Sequence, residues 1–144
     1  MALTGLSLSR SHEIDMSFDP DSGTDKATKF QIGTLDRFIQ TKIQDESLDV
    51  QGDPASGNVS TSIRIATANL QYVRFGLKDW RNFMDPETGQ VIPFKTKKEV
   101  VQGRSYDVVA DECLERLDMA TITELGRRIQ EANSVSETEA KNSE

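Results

Sequence analysis

The residues that could carry out covalent or metal chemistry are few in this chain, and their spacing favours no catalytic centre. His12 is the only histidine and Cys113 the only cysteine in 144 residues, so Ser-His-Asp, Cys-His and multi-histidine metal arrangements lack parts. Cys113 falls on the apolar face of a predicted helix among three acidic neighbours, which favours a small core residue over a reactive thiolate. We therefore predict no catalytic, cofactor-binding or metal-binding residues and no enzymatic activity.

Three acidic residues near the start of the chain have a spacing close to that of a calcium loop. Asp19, Asp21 and Asp25 would be its early ligands. However, Gly23 occupies the fifth position where such a loop needs a glycine at the sixth, and Phe30 stands where a bidentate glutamate should close the loop. The pattern predicts an ordinary polar loop.

The densest basic cluster consists of Lys95, Lys97 and Lys98. The formal charge of the whole chain is -7 and its pI is near 4.8, which opposes binding to a phosphate backbone through a general electrostatic field. Lysines on an edge strand commonly discourage sheet-to-sheet association. We predict that neither nucleic acid nor a membrane is a partner.

The longest apolar period runs through residues 60–93, STSIRIATANLQYVRFGLKDWRNFMDPETGQVIP. Apolar residues recur there at steps of three and four, which predicts one buried helical face. We expect a helix from about Ser60, capped by the hydroxyl residues at its start, to about Phe75, followed by a short helical turn. The DPETGQ segment then predicts a reversal into a strand at Val91. The face comprises Ile63, Ala66, Leu70, Val73, Leu77, Trp80 and Met84.

The flanking segments predict short strands and amphipathic helices. Residues 28–33, TKFQIG, alternate as a half-buried strand does, and Thr34 is placed to cap a helix that ends near Leu48. VIPFKTKKEV and SYDVV on either side of QGR predict a β-hairpin over residues 91–109. The spacing of apolar residues after it predicts two closing helices, with a boundary cap near Asp118.

These elements predict an α+β fold in a single, mainly helical domain with a short N-terminal strand and a β-hairpin. We place the domain at residues 28–133. Residues 1–27 lack a sustained apolar period and predict an extended N-terminal arm, and residues 134–144 predict a disordered polar tail.

One face of the first predicted helix is a candidate surface for a protein partner. Leu35, Phe38, Ile39 and Ile43 share this face. A small domain can leave such a face incompletely buried, so that it offers a groove or ridge to a partner helix.

Three stretches together resemble small proteins of the tailed-bacteriophage tail assembly chaperone type. They are KFQIGTLDRFIQTKIQD, VRFGLKDWRNFMDPETGQVIPF and VVADECLERLDMATITELGRRIQEANSVSE. The shared pattern is a strand entering a helix, a Gly-Leu-x-x-Trp-x-Asn-Phe turn, an Ile-Pro-Phe strand and a last helix ending in Glu-x-Asn. The resemblance covers about residues 28–137 and leaves the arm outside.

The resemblance implies a non-enzymatic protein of the infected host's cytoplasm that binds the tape-measure or tail-tube protein before the tube polymerises. Two alternatives remain open. One is a structural component of the virion, in the head, connector or tail, which the long arm would suit. The other is an acidic inhibitor of a host nucleic-acid enzyme or defence protein. A homo-oligomer is compatible with each of them.

Overall fold

A computed structural model describes residues 11–48 and 57–142, with side-chain surroundings for residues 11–46 and 65–133. The fold is α+β, as predicted. Within the described ranges, no helix combines the length and apolar content that crossing a membrane requires. The elements are β1 (Ser11–Asp15), β2 (Lys29–Gly33), α1 (Arg37–Leu48), α2 (Gly57–Gly76), β3 (Leu77–Arg81), β4 (Thr96–Val101), β5 (Arg104–Val109), α3 (Asp111–Leu114) and α4 (Met119–Asn142).

Strands β1, β2 and β3 form an antiparallel three-stranded sheet in that order. The predicted strand over residues 28–33 is its central member, β2. Phe30 and Ile32 point into the core while Gln31 is exposed, which is the alternation expected of a half-buried strand. Phe30 lies opposite Trp80 on β3, and the two rings pack edge to face with centroids 6.4 Å apart.

Residues 11–27 do not form a separate arm, contrary to the sequence-based expectation. β1 pairs with β2 from Ser11 opposite Gly33 to Asp15 opposite Lys29, and Ile14 and Met16 are buried. The strand escapes pattern analysis because Ile14 is the only fully buried side chain within it. The first ten residues of the predicted arm lie outside the described ranges.

The polar segment that follows β1 is a loop, and its backbone donates hydrogen bonds to a carboxylate at the end of β1 and to one within the loop. Gly23 N donates to Asp15 Oδ2 at 2.7 Å, and Thr28 N donates to Asp19 Oδ2 at 2.9 Å. Carboxylates commonly satisfy the backbone of tight turns in this way. The segment is therefore tied to the sheet.

Helix α1 begins after an aspartate cap. Ile39 N donates to Asp36 Oδ1 at 2.9 Å, so Asp36 takes the capping role that the sequence suggested for Thr34. Asn133 of α4 joins the same region, since its Oδ1 accepts a hydrogen bond from Leu35 N at 3.1 Å. The start of α1 is thereby fixed against the last helix.

Helix α2 starts at Gly57, before the predicted caps at 60–62, and ends at Gly76. The chain then enters β3, where we had expected a short helical turn. A Cβ at Gly76 would lie 2.7 Å from Ile129 Cγ2, so glycine permits the close approach of α4 at this junction. The predicted buried face is only partly buried, because Val73 is fully covered while Leu70 and Met84 are 39% and 52% exposed.

The reversal in DPETGQ is present. Glu87 N donates to Asp85 Oδ1 at 2.8 Å, Gly89 has a φ of 70°, and Met84 bridges Val91. The strand expected at Val91 is limited to that bridge. The predicted hairpin begins at Thr96, as β4, and turns through two residues of positive φ before β5.

The second closing helix begins after the predicted Asp118 cap, whereas the first, α3, has only four residues and no side-chain cap. Asp118 Oδ1 accepts a hydrogen bond from Thr121 N at 2.8 Å ahead of α4, and Cys113 of α3 is buried. Helix α4 continues through Asn142, although a disordered tail was expected from residue 134. Residues 134–142, SVSETEAKN, contain neither glycine nor proline, so no residue there terminates the helix.

Candidate functional site

The four residues predicted to bind a partner have different positions in the structure. Leu35, Ile39 and Ile43 are between 1% and 3% exposed and belong to the core. They are covered in the folded domain and offer no exposed surface. Phe38 is 52% exposed, but the Arg104 guanidinium lies 4.0 Å from its ring centroid. The predicted ridge on α1 is therefore reduced to one partly covered ring.

The residues with reactive side chains do not form a catalytic or metal centre within the described part of the chain. His12 is exposed on β1, and the Cys113 thiol is buried 3.3 Å from Lys95 N. Across residues 11–48 and 57–142, no group of three or more histidine, cysteine or carboxylate side chains is arranged to hold a metal ion. The loop with Asp19 and Asp21 uses Asp19 for backbone contacts instead.

The lysines of the β4 region each have an acidic partner. Lys97 Nζ lies 3.0 Å from Asp111 Oδ2, and this pair lowers the pKa of the Asp111 carboxyl. Lys98 Nζ lies 2.6 Å from Asp107 Oδ1. Lys95 pairs more loosely with Glu112, at 3.9 Å. The local positive charge is thus compensated within the hairpin and α3.

An apolar groove lies where the loop after β1 meets the turn after β3. It has a volume of about 380 Å³. Phe18 and Met84, each 52% exposed, stand at its surface, whereas Phe30 and Met16 are buried beneath. We call this feature the Phe18–Met84 groove. Its lining is Met16, Phe18, Asp19, Pro20, Asp21, Lys26, Thr28, Phe30, Asn82, Phe83, Met84 and Thr121.

One wall of the groove is held by an aromatic cluster. The ring of Phe83 contacts Trp80 edge to face at 4.8 Å between centroids and Phe30 at 5.8 Å. Trp80 is fixed in turn by a 2.7 Å hydrogen bond from its Nε1 to Ile92 O. Rigid aromatic walls of this kind lower the entropic cost of binding.

Asn82 joins the two walls. Its φ is 60°, a left-handed conformation that asparagine tolerates better than most residues. Its Nδ2 donates to Asp25 O at 3.0 Å and to Ala27 O at 3.2 Å, while Asn82 O accepts from Thr28 Oγ1 at 2.9 Å. These three bonds set the position of the loop against the turn.

Sequence reasoning missed this groove because its parts lie in two distant segments. Phe18 was assigned to the arm and Met84 to a buried helical face. One feature of the sequence could have indicated an exposed ring. Phe18 directly precedes DPDSGTD, a segment that is too polar for a core. That signal identifies an exposed ring but not its neighbour across the groove.

Comparisons with protein-family models, with curated proteins and with solved structures find no match to this chain.

Proposed function

We propose that this chain is a non-enzymatic assembly protein of a tailed bacteriophage, of the tail assembly chaperone type, that binds an apolar segment of the tape-measure or tail-tube protein. The observation that carries the proposal is the Phe18–Met84 groove, an exposed apolar surface on a rigid aromatic base. Exposed apolar patches of this kind mark interaction sites in otherwise polar proteins.

The composition of the groove suits a chaperone. Methionine side chains are flexible and polarisable, so Met84 can adapt to partner side chains of different shapes. The fixed ring of Phe83 supplies the part of the surface that need not rearrange. A surface with both properties can bind a segment firmly enough to cover it and still release it.

The charge of the protein indicates which charge the ends of the bound segment should carry. The rim of the groove carries Asp19 and Asp21 against Lys26, and the chain has a formal charge of -7. We infer that the partner segment is an amphipathic helix whose apolar face enters the groove and whose ends carry lysine or arginine. The same acidic surface would keep the complex soluble while the segment is covered.

The proposal is tested by co-expression with the tape-measure and tail-tube proteins of a tailed bacteriophage. We expect co-purification with one of the two and absence from purified particles by mass spectrometry. Failure to retain either protein would contradict the chaperone assignment. Stoichiometric presence in mature particles would replace it with the virion-component alternative.

A further inference from the structure

A second cavity lies on a different part of the molecule and shares no lining residue with the Phe18–Met84 groove. It measures about 290 Å³ and is bounded by the start of α1, the α2–β3 junction and β5. Its apolar floor consists of Leu35, Ile39 and Phe75, which are buried. Asp36 and Lys78 are among the polar groups around it. The cavity therefore combines an apolar floor with a polar rim.

The two charged groups at the rim have different surroundings. Lys78, the extra residue of a β-bulge in β3, is exposed and lies near the charge of Asp107. Among the described residues, the Asp36 carboxylate accepts hydrogen bonds only from neutral donors, which are Ile39 N at 2.9 Å and Tyr106 Oη at 2.8 Å. A carboxylate has about four lone-pair sites, so Asp36 can still accept from a cation.

The chain enters the described structure beside this cavity. Ser11, the first residue of β1, lies opposite Gly33, the last residue of β2, and the next residue, Thr34, lines the cavity. The Cα atoms of antiparallel partners are about 5 Å apart. Residues 1–10, MALTGLSLSR, lie outside the described ranges. They therefore join the described structure next to the cavity wall.

The register of β1 against β2 predicts which residues of this segment reach the cavity. In an antiparallel pair, each step back along β1 is one step forward along β2. Continued beyond the end of β1, the register sets residues 8–10 opposite residues 34–36, all of which line the cavity. Side chains alternate between the faces of a strand, so Leu8 and Arg10 share the face of the buried Ile14.

We propose that residues 8–10 of the same chain occupy this cavity and close it. The Leu8 side chain then lies on the apolar floor, against Ile39 and Phe75. A volume of about 290 Å³ is sufficient for one leucine side chain. Three extended residues span about 10 Å, so Leu8 can reach the floor from Ser11. The segment thereby connects β1 to the start of α1.

The charges of the segment and of the cavity are complementary. Arg10 is the only charged side chain in residues 1–10. Of the two carboxylates in the lining, Asp107 pairs with Lys98 at 2.6 Å, whereas the described residues give Asp36 no cationic partner. The Arg10 guanidinium therefore pairs with Asp36 at the rim. With these contacts made, the chain itself fills the cavity, which then holds no separate ligand.

The test is NMR of the full chain, in which nuclear Overhauser effects (NOEs) report contacts between protons. We expect NOEs from the Leu8 methyl groups to Ile39 and to the ring of Phe75. In a mixture of labelled and unlabelled chains, an experiment that selects contacts between chains should not show them, because the segment and the cavity belong to one molecule. Absence of these NOEs from the parent protein overturns the proposal. Their appearance only between chains overturns it in favour of a segment exchanged with a second copy.

Two leucine variants test the register. Leu8→Asp should shift the amide resonances of residues 34–36, because it places a charge on the apolar floor. Leu3→Asp makes the same change five residues farther from the cavity, so it should leave those resonances and the Leu8 NOEs as in the parent. NOEs between the packed rings of Phe30 and Trp80 verify that each variant is folded. The proposal is overturned if Leu8→Asp leaves the resonances unchanged or if Leu3→Asp removes the Leu8 NOEs.

A further set of variants tests the ion pair. Asp36→Asn keeps a side-chain oxygen that can cap α1 but removes the negative charge, and Arg10→Gln removes the positive charge. Each should weaken the NOEs of Leu8 to Ile39, whereas Arg10→Lys, which keeps the charge, should retain most of their intensity. Parent-like NOEs in both Arg10→Gln and Asp36→Asn would overturn the pairing of Arg10 with Asp36.

Discussion

Single residues decide the shape of the Phe18–Met84 groove. The Phe18–Met84 groove depends on Asn82, which combines a left-handed backbone with a side-chain amide bonded to two carbonyls across the groove. Most other residues would lose either the conformation or the bonds. Asn82 is therefore the position at which backbone strain and hydrogen bonding can be separated by experiment.

Replacing Asn82 tests this dual role. Asn82→Gly keeps the positive φ accessible but removes two side-chain hydrogen bonds, so we expect a loss of about 1–3 kcal/mol in the free energy of unfolding. Asn82→Ala should lower the free energy of unfolding by about a further 1 kcal/mol, because the Cβ of alanine makes this positive φ unfavourable. Urea denaturation of the three proteins measures both steps. Equal stability of parent and glycine variant would mean that the bonds to Asp25 and Ala27 do not hold the loop.

At the scale of elements, β1 is the main departure from what the sequence indicated. Ile14 is 7% exposed and sits in the core, while His12 two residues away on the same strand is exposed. We expect Ile14→Ala to destabilise the protein by about 2–5 kcal/mol. His12→Ala is the matched control and should change stability by less than about 0.5 kcal/mol. Equal melting temperatures for the two variants would contradict this prediction and would mean that β1 is an arm that does not contribute to the core.

The crossing of α2 and α4 gives a second prediction at this scale. A Cβ at Gly126 would lie 2.8 Å from Asn69 Cα, a backbone atom that cannot move away by a change of rotamer. Gly126→Ala should therefore push the helices apart and cost about 1–3 kcal/mol, despite the better helix propensity of alanine. Gln130→Ala on the exposed side of α4 serves as the control. A Gly126→Ala variant more stable than the parent would mean that the helices separate readily.

The sequence indicated β2, α1, the hairpin and the Asp118 cap, because each is specified by local alternation, helical spacing or turn residues. It misassigned β3 for a definite reason. The bulge at Lys78 places Leu77 and Trp80 on the same face of the strand, three residues apart, which is the spacing of a helix. The groove was not predictable, since it needs the contact between residues 16–21 and 82–84.

For the whole molecule, the pattern of carboxylates predicts how stability depends on pH. Among the residues that the structure describes, five carboxyls have a pKa below the usual values of 4.5 for glutamate and 3.8 for aspartate, each because of a hydrogen bond or a nearby cation. In the unfolded chain these groups take up protons at higher pH than in the folded protein. Their stabilisation is therefore complete above about pH 5 and is lost as pH falls. They are Glu13, Asp15, Asp85, Asp111 and Asp118.

The urea midpoint should consequently stay level from pH 7 to about pH 5 and decrease progressively toward pH 3. Asp118→Asn retains an oxygen that can accept from Thr121 N but no longer titrates, so its curve should fall less steeply. A midpoint that rises on acidification would show that the folded carboxyls are not stabilised in their charged form.

The central claim is that the Phe18–Met84 groove, rather than the α1 surface, holds the partner. Calorimetric titration of the tape-measure or tail-tube protein against the parent, Phe18→Asp and Phe38→Asp tests it most directly, because both rings are 52% exposed and either change should leave the core intact. We predict that Phe18→Asp weakens binding at least tenfold, or about 1.4 kcal/mol, and that Phe38→Asp stays within about twofold of the parent. Loss of binding in Phe38→Asp with parent-like affinity in Phe18→Asp would contradict the account.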